Sequence, residues 1–313
     1  MEKDMSKDMN KDIAANRKRE KIEAVAKAWF LINASVAIIC VAAITFFVFY
    51  KGLQPFFTGN HEGTYSFIKF ITGLEWDYSD NPEVALYGVL YMIIGSIVAT
   101  LGAIVIGVPI SVLTAVFIAE IAPEPVKKIV KPAVELLAGI PSILYGVFGL
   151  GIIVPWIRDI SPKAQGQSLF AVMIVLTIMI LPTIITITEN AIRVVPNSFR
   201  EGSYGLGASK IQTIFKVILP AAKSGIITGV VLGIGRAIGE TMAVILVAGN
   251  PQGGIPTSIW EPIRPLTTNI ALEMSYAFGM HQEMLFSTGV VLFVFIIVIN
   301  LILARAKAKI SEQ

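Results

Sequence analysis

Six stretches of the chain read as near-continuous apolar runs, at about 29–50, 84–121, 133–155, 168–192, 224–250 and 284–304, and most of the charged residues collect between them. A helix needs about 20 mainly apolar residues to cross roughly 30 Å of hydrocarbon, whereas a barrel strand needs about 10 in alternation. These lengths predict an all-α integral membrane protein with six transmembrane helices. The second run, 38 residues, would make a straight helix of about 57 Å at about 1.5 Å per residue, long for one crossing. Gly107-Val108-Pro109 interrupts it, and Ile110 to Ile121 is too short to return across the bilayer. The pattern predicts one helix bent at the proline.

The polar segments give a direction. With a cytoplasmic N-terminus, the inside segments hold eight Lys and Arg in 1–28, three in 122–132, five in 193–223 and three in 305–313. The outside segments hold two in 51–83, two in 156–167 and one in 251–283. An excess of basic residues marks the cytoplasmic side, so both termini are expected inside. The tail of 28 residues before a 22-residue apolar stretch, with no A-x-A-like cleavage site, predicts a retained anchor over 29–50 instead of a cleaved signal. Within that tail "KDMSKDMNKD" reads as disordered, and "NRKREK" as an orientation signal against anionic lipid.

Composition agrees with a bilayer solvent: 55% of residues are hydrophobic and 15% charged, with a mean hydropathy of +0.73. It also narrows the chemistry. Cys40 is the single cysteine, and His61 and His281 fall in two separate external loops, so no metal site or cofactor is readable. No Gly-Lys pair occurs anywhere, which rules out a phosphate-binding P-loop in this chain. No span carries a Ser/His/Asp or paired-Asp set, so no catalytic residue is assigned, and nothing points to nucleic acid. Energy for transport against a gradient has to enter from another subunit.

Two charges break the fifth run: "GRAIGETMAV" puts Arg236 near the midpoint of 224–250 and Glu240 one turn later. A charge at the bilayer centre costs at least about 2.5–3.5 kcal/mol, so such a pair is a functional signal by default. At i and i+4 they share one helix face, with Arg on the N-terminal side, the weaker order for pairing. Gly225, Gly229 and Gly233 continue that face, and Gly235 with Gly239 forms a second small pair; small residues four apart let helices approach closely. Two readings stay open, the wall of a narrow passage and a tight ionic contact between helices. Pro141 and Gly139, Gly146, Gly149 and Gly151 predict a bent or re-entrant third span. Glu135 with Lys131, and Glu189 with Arg193, are expected to pair across one turn.

The long loop 193–223 contains "EGSYGLGASKIQTIFKVILP". Ser209 to Leu219 has helical spacing with an apolar side of Ile211, Ile214, Phe215, Ile218 and Leu219, and Pro220 is expected to end it. By periodicity alone such a helix lies on the membrane or under its own bundle.

The same loop resembles the cytoplasmic signature of ABC-importer permeases: E-A-A, three residues, G, nine residues, I-x-L-P. Glu201, Gly207, Leu219 and Pro220 match at that spacing, Val217 replaces the Ile, and Gly202 and Ser203 replace the alanines. "ELLAGIPSILYGVFGLGIIVP", "ILPTIITITENAIRVVPNSFREGSYGLGA" and "GIGRAIGETMAVILVAGN" are similar to the permeases of phosphate-specific ABC importers, of the PstC type, and the likeness runs over roughly 84–306. The resemblance implies a MetI-like permease domain over 84–306, with a coupling loop at 193–223, behind a tail (1–28), an anchor (29–50) and an external loop (51–83), and followed by a cytoplasmic tail at 307–313. It implies a multi-pass place in a bacterial or archaeal inner membrane. It implies as partners two copies of an ATP-binding subunit, a second related permease, and an external phosphate-binding protein that docks on 51–83 and 251–283. Trp76, Trp260 and Tyr276 are expected there as interface anchors or contact points.

Under this resemblance Glu201, Gly207, Ile211, Phe215, Leu219 and Pro220 couple to the ATPase. Arg236, Glu240 and Thr241 line the path of inorganic phosphate, since a guanidinium suits an oxyanion. Gly225, Gly229, Gly233 and Gly239 pack helices. Another oxyanion, a self-powered secondary carrier or a non-transporting scaffold would share parts of this pattern.

Overall fold

The computed structural model describes residues 2–57, 65–79 and 84–311; His61 lies outside them. Two compact units divide the chain, Met1–Lys51 and Gly52–Gln313. The first is one helix. Helix α1 (Glu2–Phe57) is helical from its start, so the tail expected to be disordered continues the anchor as helix. Lys, Glu, Met and Ala, all strong helix formers, supply much of it. Trp29, Phe30, Leu31, Ile38 and Phe46 are exposed on this unit, as befits side chains solvated by lipid.

Past the end of α1, the second unit has structure that the apolar pattern did not show. Helix α2 (Phe67–Thr72) is followed by β1 (Trp76–Asp77), antiparallel to β2 (Leu86–Tyr87), with Trp76 opposite Tyr87. Helix α3 (Leu90–Val116) runs through Pro109 as one element and widens into a π-helical turn at Phe117–Ile121. Helix α4 (Glu124–Gly139) is separate from the third crossing, which was expected at 133–155. Pro141 disfavours helical backbone at Ile140, which is extended (φ −69°, ψ 129°). The crossing is instead α5 (Ser142–Phe148), a π turn at Gly149–Ile153, and α6 (Val154–Ile160). Helix α7 (Leu169–Val194) starts where the Ser168 side chain accepts the Ala171 N–H.

Beyond it come α8 (Asn197–Gly205), α9 (Lys210–Thr213), a π turn at Ile214–Ile218 and α10 (Leu219–Ala221). A 70° bend leads into α11 (Lys223–Gly239). Helices α12 (Met242–Val247), α13 (Leu266–Glu273) and α14 (Gly279–Ser311) complete the order. His281 thus sits in the first turn of α14 and not in a loop. Among the described residues, five helices are long and apolar enough to cross a membrane alone, and the bent pair Lys210–Ala221 with Lys223–Gly239 makes six.

Helix α7 is central, with most of its residues buried. Glycines on its neighbours set the approach distances. A Cβ at Gly107 on α3 would stand 2.8 Å from Ile180 Cδ1, and one at Gly149 2.8 Å from Val175. A Cβ at Gly146 on α5 would meet the Ala243 backbone at 2.8 Å, so α5 and α12 touch backbone to backbone. Gly139 and Gly151 face open space.

Candidate functional site

The site begins with the α11–α7 contact. A Cβ on Gly225 would collide with Ala191 Cβ; on Gly233 it would stand 2.7 Å from Ile184, and on Gly229 3.3 Å from Ile187. Three glycines at spacing four thus lay α11 directly on α7. Gly235 and Gly239 have nothing within 4 Å, so the second small pair makes no such contact in this chain. Arg236, one helical step from Gly233 and half-buried, sends Nη1 back to α7, where it donates to Thr183 Oγ1 at 3.1 Å.

Arg236 and Glu240 do not share a helix. Helix α11 ends at Gly239, and Glu240 has extended backbone (φ −72°, ψ 130°). The one helical face expected for them is therefore corrected: the apolar run 224–250 breaks at Glu240-Thr241. The physical cause lies in the partners of that break. Glu240 Oε1 accepts the Ala243 N–H at 3.0 Å, satisfying one of the free donors at the start of α12. Its carbonyl accepts from Thr267 Oγ1 at 3.1 Å, and Thr241 Oγ1 donates to Gly239 O at 3.3 Å. Non-helical backbone at membrane depth is tolerated only where protein buries it or a cavity receives it. Here a small cavity adjoins Glu240, with Ser96, Thr100, Pro265 and Thr267 among its lining residues. No ion pair joins Arg236 to any carboxylate among the described residues. The result is a cation held by a neutral hydroxyl beside an anion held by a helix start.

The loop over 193–223 divides its apolar residues in two. Ile214 (1% exposed) and Ile218 are buried against Val116, Ile192 and Val195, with Leu219 partly buried beside them. Ile211 (56%) and Phe215 face outward, as does Leu206 (92%). The single apolar side expected from the periodicity is thus two faces, an inner one under the bundle and an outer one that is bare. A π turn at 214–218 makes this division, because its wider winding rotates the residues off the α-helical rows. Pro220 does not end the helix; the widened turn absorbs its missing N–H and the bend comes at Ala222. Ser209 caps α9 through a reciprocal bond with Gln212. Glu201 is exposed, and Gly207 has φ +83°, a left-handed conformation that favours glycine. Ser203, one of the two departures from the signature, is buried 2.9 Å from Thr213 Oγ1. Thr213 spends its own proton on Ser209 O at 3.0 Å, so Ser203 donates and ties α8 to α9.

Three polar clusters escaped the sequence reading in whole or part. Glu189, buried on α7, takes Arg193 Nε at 2.6 Å and also Lys131 Nζ at 3.2 Å. Lys131 therefore bridges α4 to α7 and leaves Glu135 exposed, contrary to the pairing expected within α4. Arg200 joins Glu120 at 2.5 Å. Outside the spans, Arg264 (4% exposed), Glu273 (6%) and His281 (2%) are buried together. Arg264 Nη2 donates to Glu273 Oε1, Trp76 Nε1 donates to Glu273 Oε2 at 2.7 Å, and His281 Nε2 lies 3.2 Å from Oε2. Burial alone would raise the Glu273 carboxyl, but His281, Arg264 and Trp76 outweigh it and hold it below the usual carboxylate range. Trp76 is thus a buried donor, not an interface anchor. Trp260 packs edge-on to Phe170 at 5.6 Å, and Tyr276 is exposed. The available signal was Arg264, the one Lys or Arg in 251–283. Helix α13 begins next to it, and Leu266 N–H on Ser96 Oγ (3.2 Å) and Thr267 on Glu240 seat that helix over the break.

The family model for "binding-protein-dependent transport system inner membrane component" matches residues 107–312. The "probable ABC transporter permease protein YqgH" of Bacillus subtilis is 42% identical over 295 residues, covering 92% of this chain and 91% of that protein. The "phosphate transport system permease protein PstC" of Pasteurella multocida is 37% identical over 73% of this chain and 77% of its own length. Among solved structures, a bacterial ABC transporter involved in import of the acidic polysaccharide alginate aligns with a TM-score of 0.59 at 16% identity, covering 90% of this chain and 99% of that one. The MetNI methionine ABC transporter in an inward-facing conformation aligns at 0.53 and 21% identity, over 71% and 94%. At such identities the two structures show the fold, which is that of MetI-type permeases. The chain belongs to the binding-protein-dependent transport system inner membrane component family, the multi-pass, non-enzymatic permease subunits of ABC importers that work with a separate ATPase and a binding protein.

Proposed function

We propose that this permease carries inorganic phosphate, and that Arg236 is its transient binding site in the membrane. One observation carries the reading: a half-buried guanidinium near the middle of an apolar run has a neutral hydroxyl for its one hydrogen-bonded partner, while the nearby carboxylate of Glu240 is engaged by a backbone N–H. An unneutralised cation in that place is costly unless it serves an anion. A planar guanidinium with free donors suits a tetrahedral oxyanion. Glu240 keeps the local charge low enough for the anion to leave, since conduction requires entry without trapping. Thr241, at the break, lines the same path. The relatives named for phosphate transport support this choice of oxyanion.

Both termini lie in the cytoplasm in this reading, which puts the bare face of Leu206, Ile211 and Phe215 on the side of ATP. One coupling loop per chain pairs this subunit with one of two ATPase copies, and a second, related permease takes the other. An external phosphate-binding protein delivers the anion, and closure of the ATPase pair, transmitted through 201–220, alternates access to Arg236. The test is radiolabelled phosphate uptake, with sulfate alongside, in cells deleted for this gene and rescued with the wild-type chain. Restoration of phosphate uptake alone supports the substrate; restoration of sulfate uptake with phosphate unchanged overturns it.

A further inference from the structure

The coupling loop has to be fastened to the spans if its movement is to reach them, and one side chain bonds it to the ends of two of them. Arg200 lies on α8 with its side chain 17% exposed and reaches three elements. Its Nη2 donates to Glu120 Oε1 at 2.5 Å and to Ile192 O at 3.2 Å. Its Nε donates to the same Glu120 oxygen at 3.2 Å. Its Nη1 donates to Val195 O at 2.7 Å and to Asn197 Oδ1 at 3.3 Å. Glu120 belongs to the π turn that ends the α3 crossing, and Ile192 and Val195 stand at the end of α7. The last carbonyls of a helix have no partner within it and carry negative partial charge. One planar, five-donor fork therefore closes the end of α7 and holds the end of α3 at once, which a point charge on a flexible stem does not do. Glu201, the next residue and the signature glutamate, points to the exposed side. The apolar cluster of Ile214 and Ile218 on Val116, Ile192 and Val195 supplies a second, non-directional attachment of the same loop.

We propose that Arg200 is the positioning residue that makes α8 and the cytoplasmic ends of α3 and α7 move as one body, so that displacement of the loop by the ATPase becomes displacement of the crossings. The inference rests on the reading of this chain as an ATPase-coupled phosphate permease. Without the clamp the loop still docks, through its bare outer face, but slips against the spans: ATP is hydrolysed and little phosphate moves.

The test uses the whole complex in lipid nanodiscs or vesicles, with wild-type chain, Arg200→Ala, Arg200→Lys and Glu120→Gln. Phosphate carried per ATP hydrolysed should fall about tenfold in Arg200→Ala, within the 5–150-fold span usual for coupling between sites, while hydrolysis stays near the wild-type rate. Arg200→Lys should fail similarly, because it restores the charge without the fork; full rescue by Lys would overturn the proposal. A second readout does not depend on substrate. Spin labels at Leu113 on α3 and Ser198 on α8, both exposed, in a Cys40→Ser background, should keep one distance with and without trapped nucleotide in the wild type. A second distance should appear in Arg200→Ala. An unchanged transport ratio, or a single retained distance in Arg200→Ala, overturns the clamp. So does failure of all three variants to assemble, which would make Arg200 and Glu120 assembly residues. If the wild type carries no phosphate, the substrate reading fails and the label distances alone decide the clamp.

Discussion

Arg236 and Glu240 stand four residues apart and bind different things: Arg236 Nη1 donates to Thr183 Oγ1 on α7 at 3.1 Å, and Glu240 Oε1 accepts the N–H of Ala243 at 3.0 Å. A helical turn would have placed the two charges side by side. The break after Gly239 separates their roles, leaving a cation on the last turn of α11 and an anion in the extended link that precedes α12.

Glu240 has a structural and an electrostatic part that substitution can separate. Glu240→Gln keeps an oxygen for the Ala243 N–H and removes the charge, so phosphate should bind more tightly and leave more slowly. Uptake kinetics should show KM and maximal rate falling together. Glu240→Ala also removes the cap, at a cost of about 1 kcal/mol, and should lower the melting temperature of the purified protein where Glu240→Gln does not.

The α11–α7 contact gives a stability test with an internal control. Gly225→Ala and Gly233→Ala place a methyl against Ala191 and Ile184, and overpacking of this kind costs about 1–3 kcal/mol. Gly235→Ala meets nothing within 4 Å and should be neutral or stabilising, since Ala is favoured over Gly in a helix by up to about 1 kcal/mol. Thermal melts in detergent would rank the three, and equal losses at all three positions would contradict the packing described.

Much of this was legible in the chain. Run lengths give the number of crossings, and spacing-four glycines give the buried face of α11, because in lipid both depend on local sequence. The breaks were harder to read. Ile140-Pro141 announces itself through proline, but nothing in "GRAIGETMAV" outweighs helical propensity at Glu240. That break depends on Thr267, 27 residues further on, taking the Glu240 carbonyl. The Arg264–Glu273–His281 cluster was hidden for a similar reason. It draws on Trp76, 197 residues from Glu273, which no periodicity connects. The split face of α9 and its π turn escaped because helical spacing assumes uniform winding.

The Arg264–Glu273–His281 cluster should respond to acid. The Glu273 carboxyl is held below its ordinary range by His281, Arg264 and Trp76, against the opposing effect of burial. A group whose folded pKa is depressed adds stability above its unfolded pKa and loses it as pH falls through the folded value. The melting temperature should therefore drop as pH falls below about 4.5, the ordinary glutamate value. Arg264, His281, Tyr87, Tyr91 and Tyr276 are other titratable groups near it. Glu273→Gln, which strands Arg264 without its counter-charge, should cost about 3–5 kcal/mol at neutral pH and flatten this acid dependence. Parallel pH–melting curves for the two proteins would contradict the assignment.

If the loop over 193–223 docks the ATPase as proposed, its two faces should separate docking from folding. Ile211→Ser and Phe215→Ser, on the bare face, should reduce co-purification of the ATPase with little change in thermal stability of the isolated chain. Ile214→Ala, on the buried face, should cost about 2–5 kcal/mol and lower stability first.

The most direct test of the central claim is phosphate uptake by Arg236→Gln in a deletion background, with the amount of assembled complex in the membrane measured in the same cells. The account predicts a complex at wild-type level and uptake no higher than in the deletion strain. Wild-type uptake by that variant, or loss of the complex from the membrane, would show that Arg236 holds helices together and is not the site of the anion.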